Sequence, residues 1–368
     1  MHPGVSPVSS PPLLTSPSPT VKVRQLGTPL SISSAVPESL NDETPSRLAR
    51  LRSIVGNQQS ILLLVLVALI IFFGVRNSLF FSSAEASNLL IDFSGMAMIA
   101  VAETYVIISG GIDLSVGSTV AISGVGGAFL MQSLMNHHAP EAVVMLVGTL
   151  ACAGIGLLVG AINAVLITKA NLVPFVATLV TLSAGAGMAL VFSRGAPIGL
   201  NPGAISWSAT GVGPFTWLVL IVIAIVVVLG FALHVSRYGR YNFAIGSNSF
   251  AARAAGINVQ RHIASVYVLS GILAGLTGMF FYIRLGSGAP TSGTGSELDA
   301  IAAVVIGGAS LNGGVGLIWG TVLGAGILTV VTDGLIFINV QPTWNQVVVA
   351  AFIALAAVLQ SLRPGVRR

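Results

Sequence analysis

From about residue 54 onward the chain alternates between apolar runs of near-bilayer length and short polar breaks. Ile61–Gly74 is strongly apolar but only about 21 Å long as a helix, so a first span is expected to extend over 54–81. Arginines before it and Ala84-x-Ala86 after it also outline a signal peptide, but the preceding stretch is far too long for one. Leu89–Ser109 predicts a second span. Gly110-Gly-Ile-Asp-Leu-Ser-Val-Gly117 interrupts the pattern, and an apolar run resumes to Met135. Ala142–Ile167, Leu172–Phe192, Phe215–His234 and Ile263–Leu285 predict further spans. Beyond them lie the Gly/Ser/Thr loop Gly286–Ser296, two Gly-rich segments, Glu297–Leu311 and Val315–Leu335, and a last span, Gln346–Leu362. This is an all-α, polytopic membrane pattern of about ten spans, with the segments at Gly110 and Gly308 either crossing or re-entrant.

The longest polar interruption among these runs is Val235–His262. It carries Arg237, Arg240, Arg253 and Arg261 and no acid, which places it on the cytoplasmic side. Counting the other Lys and Arg by alternation sets Lys22, Arg24, Arg47, Arg50, Arg52, Lys169, Arg363, Arg367 and Arg368 on that side. Only Arg76, Arg194 and Arg284 fall opposite, so both termini are expected inside. Within the interruption a short helix is expected: Ser247 or Asn248 caps it, Phe250–Ala255 are mostly good helix formers, and Gly256 sits where a left-handed stop belongs. Such a helix suits a groove in another protein, and equally a solvated loop with an incidental helical turn.

Composition agrees with a bilayer protein. Of 368 residues, 54% are hydrophobic and 7% charged, with mean hydropathy +0.93; soluble domains carry about 25% charged residues. The net charge of +5 reports orientation rather than nucleic-acid binding. Residues 1–53 begin with a Pro/Ser-rich stretch that reads as a disordered cytoplasmic tail. The membrane domain is expected over 54–362, with 363–368 as a cytoplasmic end. Cys152, in an apolar run, reads as a small core residue. No metal-ligand cluster and no nucleophile paired with a base emerges. No phosphate-cradling GxxxxGK[ST] loop occurs either, and the only lysines are Lys22 and Lys169. Enzymatic chemistry is therefore not expected, and transport is what remains.

Acids beside apolar runs are then the informative residues, because a charge at mid-bilayer costs about 2.5–3.5 kcal/mol on insertion scales. Glu103 lies inside the second span, Asp113 in the glycine break, Glu297 and Asp299 open a Gly-rich segment, and Asp333 closes the next. They either line a polar path or serve as caps and interhelical hydrogen-bond partners. Gly156-x-x-x-Gly160 and Gly320-x-x-x-Gly324 read first as packing glycines. Val106-Ile-Ile-Ser-Gly-Gly-Ile-Asp-Leu114 and Val304-Val-Ile-Gly-Gly-Ala-Ser-Leu311 share GGxxL, a weak sign of repeated halves.

Three stretches in order, VIISGGIDLSVG (106–117), YNFAIGSNSFAARAAGI (241–257) and ELDAIAAVVIGGASLNGG (297–314), resemble the permease subunit of ribose-type ATP-binding-cassette sugar importers. The likeness runs from about Ala84 to Leu362. It implies a second permease chain, a cytoplasmic ATPase that carries the ATP and Mg, and a periplasmic sugar-binding protein. The substrate would be a ribose-like or galactofuranose-like monosaccharide, carried across a bacterial inner membrane. The resemblance makes 235–262 the coupling region, with Gly246, Asn248, Ala251, Ala252, Ala255 and Gly256 contacting the ATPase; Phe250 and Arg253 share that helix. It sets Asp113, Ser115, Glu297 and Asp299 near the translocation path, and Glu103 joins them as a buried acid. The rival expectation is a proton-coupled carrier titrating Glu103 or Asp113.

Overall fold

The computed structural model describes residues 58–199, 210–344, 346–351 and 354. The expected tail over 1–53, the end over 363–368 and more than half of the last expected span lie outside them. Eleven helices organise what is described: α1 Gln58–Arg76, α2 Ser83–Ile108, α3 Val116–Asn136, α4 Glu141–Thr168, α5 Pro174–Ser193, α6 Trp217–Val235, α7 Arg237–Ser247, α8 Ser249–Ala254, α9 Val259–Leu285, α10 Ser296–Ile306 and α11 Ile318–Phe337. Strand is confined to two-residue pieces, Ile198–Gly199 paired with Ser287–Gly288, and Gly211–Val212 paired with Phe215–Thr216.

Among the described residues eight helices are long and apolar enough to cross a membrane: α1 to α6, α9 and α11. The protein is a multi-pass membrane protein. Glu297–Leu311, the Gly308 segment expected either to cross or to be re-entrant, holds only the 11-residue α10. That is about 17 Å of helix, roughly half the hydrocarbon thickness. The stretch before it is a loop of successive turns, with Ser292 N–H on Ala289 O, Thr294 N–H on Thr291 O and Ser296 N–H on Gly293 O. After α9 this loop runs back down α3, with Gly288 against Gly124 and Ala128 and Gly293 against Gly117 and Val120, before α10 begins. A broken segment, part turns and part helix, is tolerated in a membrane protein where it is buried or lines a cavity.

The core follows from sequence choices that keep helices close. α2 and α9 are the most enclosed, and α1, α4, α5 and α6 present long apolar faces outward. Gly156 and Gly160 of α4 pack on Gly271 and Gly275 of α9. A Cβ on Gly156 would collide with the Gly271 carbonyl, and one on Gly275 with the Cys152 carbonyl. Small residues there bring two backbones together and gain dispersion that lipid-facing leucines cannot supply. Gly320 and Gly324 of α11 likewise sit against Gly307 and Ala303 of α10. Both GxxxG motifs therefore close contacts inside one chain.

The internal echo has a structural cause, one residue out of the register that GGxxL suggests. α2 and α10 stop by the same device: Gly110 (φ 87°) and Gly308 (φ 94°) take left-handed conformations after the last helical turn. The N–H of Gly111 then reaches Val106 O at 3.0 Å, and that of Ala309 reaches Val304 O at 3.1 Å. These six-to-one closures satisfy carbonyls that the helix end leaves open. Gly110 thus corresponds to Gly308, not to Gly307.

Candidate functional site

Two sets of residues merit functional attention, a protruding helix and a buried polar network, and one joint connects them. The protrusion is α7 and α8. Ser236 caps α7 by accepting from Gly239 N–H at 3.2 Å, and Asn248, rather than Ser247, caps α8 by accepting from Ala251 N–H at 2.9 Å. Gly256 (φ 84°) follows the end of α8. On α8 only Ala252 is buried, packed with Ile245 and Val259; Ala251 and Arg253 are exposed, as are Ala255 and Gly256 after it. Phe250 is 85% exposed, a whole aromatic ring without a partner at the tip. Gly246 belongs to a different surface. It is half-buried, and a Cβ there would collide with Ile108 O at the end of α2.

α7 is the root of the protrusion. Asn242, fully buried, donates from Nδ2 to Tyr105 O at 2.8 Å, which leaves its Oδ1 to accept from His262 Nε2 at 3.2 Å. The Tyr238 ring lies 4.5 Å from the His262 ring, and its hydroxyl reaches Ser265 at 3.0 Å. Gly314 N–H donates to Ile108 O at 2.9 Å. The end of α2, the start of α9 and the turn after α10 therefore converge on α7.

The break that follows α2 leads into the network. Glu103 Oε1 accepts the Asp113 N–H at 3.1 Å. Asp113 Oδ1 accepts from Ser115 N–H at 3.0 Å and Ser115 Oγ at 2.6 Å, and Oδ2 accepts from Ser270 Oγ at 2.8 Å. Asn163 donates to Ser115 Oγ at 2.8 Å and accepts from Thr181 Oγ1 at 2.7 Å. Four helices and the break are thereby tied together, and every member is buried. Glu103 Oε2 alone has no hydrogen-bond partner. Asp113 and Ser115 supply the break with the hydrogen bonds its unwound backbone would otherwise lack.

Glu297 and Asp299 lie elsewhere. α10 starts from Gly295 (φ 87°) without a side-chain cap, and both acids sit in its first turn, where the helix dipole favours negative charge. Glu297 Oε2 approaches Gly117 of α3, so the start of α10 and the start of α3 meet inside the bundle. Asp299 shares a polar recess of about 160 Å³ with Asp92, Ser296, Thr329, Thr332 and Asp333. Thr291, Thr294 and Leu298 beside it are exposed. Thus Glu103, Asp113 and Ser115 fall together in the closed network, while Glu297 turns toward Gly117 at the start of α3 and Asp299 toward the recess.

Asn163, Thr181, Ser270, Asn242 and His262 escaped the reading by sequence. Asn163 had a signal, since an amide inside the apolar run Ala142–Ile167 needs a partner. Ser and Thr carried none, because their hydroxyls can bond the preceding turn of their own helix.

Comparison with known proteins agrees with this architecture. Residues 85–357 match the family model described as branched-chain amino acid transport system / permease component. The ribose import permease protein RbsC of Escherichia coli (strain K12) is 38% identical over 305 residues, covering 80% of this chain and 91% of that protein. The galactose/methyl galactoside import permease protein MglC of the same strain is 37% identical over 319 residues, with 82% and 93% covered. The fructose import permease protein FrcC of Rhizobium meliloti is 33% identical over 307 residues, with 81% and 83% covered. With both the family model and near full-length relatives aligned on its membrane helices, this chain belongs to the family of branched-chain amino acid transport system permease components.

Proposed function

We propose that this chain is the membrane subunit of an ATP-binding-cassette importer that carries a monosaccharide across a bacterial inner membrane. Although the family's description names amino acids, the similar relatives above are ribose, galactose and fructose permeases, which supports a sugar. The observation that carries the reading is the protrusion: an exposed Phe250 on a capped two-turn helix, rooted by Asn242 and Gly246 on the broken end of α2. A short helix with an aromatic tip fits a groove on an ATPase subunit. ATP and Mg bind there, on the partner, and the four arginines of 235–262 support a cytoplasmic location for this end, with both termini on the same side.

A second permease chain covers the face formed by the loop before α10, where Thr291 and Thr294 are exposed. Glu297 and Asp299 border the path between the two chains and accept hydrogen bonds from sugar hydroxyls. A periplasmic binding protein delivers the sugar to the far end. Closure of the ATPase pair presses α8, α7 turns with it as a lever, and the end of α2 moves against α9 and the 310–314 turn.

The test is reconstitution. In liposomes with a cognate ATPase and binding protein, uptake of labelled ribose, galactose or fructose should require ATP and ignore a proton gradient. Uptake by the chain alone, driven by a pH difference, would overturn the reading.

A further inference from the structure

Near the end of the bundle opposite α8, a cavity of about 680 Å³ lies between α4 and α6. Ala142, Met145, Leu146 and Thr149 form one wall and Leu218, Ile221, Val222 and Ile225 the other. Met98, Met279 and Phe280, all buried, form the floor, while Leu146 and Ile221 stand exposed at the rim. From Glu141 to Thr149 it extends about 12 Å along α4. Its size and apolar lining are those of a ligand site.

The chemistry is one-sided. Thr149 spends its hydroxyl on Met145 O at 2.8 Å, so the only free polar side chain is Glu141, exposed at the mouth. Among the described residues, no lysine or arginine lines the cavity. Water inside would find almost no partners, and a void would forfeit dispersion against buried methionine and phenylalanine. The rim continues into the outward apolar faces of α4 and α6, where hydrocarbon lies against the protein. A carboxylate at the opening pairs with an ammonium and repels a headgroup whose only charge is phosphate.

We infer that this cavity holds one acyl chain of a bilayer phospholipid with an ammonium headgroup, phosphatidylethanolamine, whose amine sits on Glu141. The lipid wedges the start of α6 from α4, and the other end of α6 leads into α7. The proposal needs no statement about the transported solute and stands apart from it.

Full-length protein equilibrated in bilayers of equal phosphatidylethanolamine and phosphatidylglycerol, then analysed by native mass spectrometry, tests it. The expected result is one retained lipid, phosphatidylethanolamine in at least fivefold excess. Glu141→Gln, an exposed change at a helix start, should bring that ratio close to one. Ala142→Trp, plugging the cavity from its rim, should abolish retention of both lipids while circular dichroism stays unchanged. Equal retention of the two lipids by the unaltered protein would overturn the inference. So would an unchanged ratio in Glu141→Gln, retention of no lipid at all, or a Leu146→Cys disulfide dimer showing that a second copy covers the groove.

Discussion

Asn163 and Asp92 make comparable hydrogen bonds and should respond differently to mutation. Asn163 is wholly buried and joins α3 to α5 through Ser115 and Thr181. Asn163→Leu removes two interhelical hydrogen bonds, although Ser115 Oγ keeps Asp113 and Thr181 Oγ1 can turn to carbonyls of its own helix, and an interhelical hydrogen bond is worth about 1–2 kcal/mol at most. Thermal unfolding in detergent should show a loss of about that size. Asp92 makes a bidentate pair with Arg284, with both distances 2.9 Å, but the side chains are 38% and 29% exposed. Solvent screens such a pair, so Asp92→Asn should cost under about 1 kcal/mol in the same assay. Phe250→Ala should leave the unfolding temperature unchanged, because the ring touches nothing, and lower affinity for the ATPase at least tenfold, the scale of a buried aromatic anchor. A pull-down titration reads that change; wild-type affinity would remove Phe250 from the interface. Ala252 is a poorer probe than its sequence position suggests, since a larger side chain there would first disturb Ile245 and Val259.

At the scale of elements, the α4–α9 contact depends on having no side chain. Gly271→Leu would drive its branch into the Gly156 carbonyl and the Gly160 backbone, neither of which can rotate away. Overpacking usually costs about 1–3 kcal/mol, and a backbone obstacle puts this case at or above the upper end. Folded yield in membranes should fall sharply, whereas Gly154→Leu on the outward face of α4 should be neutral because its Cβ meets open space. The positions of these glycines were readable, and their partner was not. Periodicity marks a helix face as small without saying which helix comes to it. The break at Gly110 was equally plain in sequence, yet the hydrogen bonds that stabilise it come from Ser115 nearby and from Glu103 and Ser270 on other helices.

For the whole molecule, the apolar runs counted spans well wherever a run was helical throughout. Glu297–Leu311 could be read either as crossing or as re-entrant, because hydropathy cannot tell a half-length helix approached by a loop of turns from a short span. Transport itself gives the matching prediction. If the 287–306 segment borders the path, Asp299→Leu should cut sugar uptake at least tenfold while leaving ATPase binding intact, measured on the same reconstituted complex. Equal loss of both would assign Asp299 to folding instead.

Hydrophobic periodicity, scarce charge and the arginine bias were enough, by themselves, to determine a helical membrane protein with one basic protrusion. They suffice because a bilayer imposes its length and polarity on each segment separately. Tertiary structure alone decided that Glu103, Asp113 and Ser115 close a buried network, that Glu297 meets α3 while Asp299 lies in a separate recess, and that Gly246 roots the protrusion while Phe250 tips it. Those distinctions depend on which helix lies beside which. A carboxylate in an apolar run reads the same in sequence whether a serine of a distant helix meets it or nothing does.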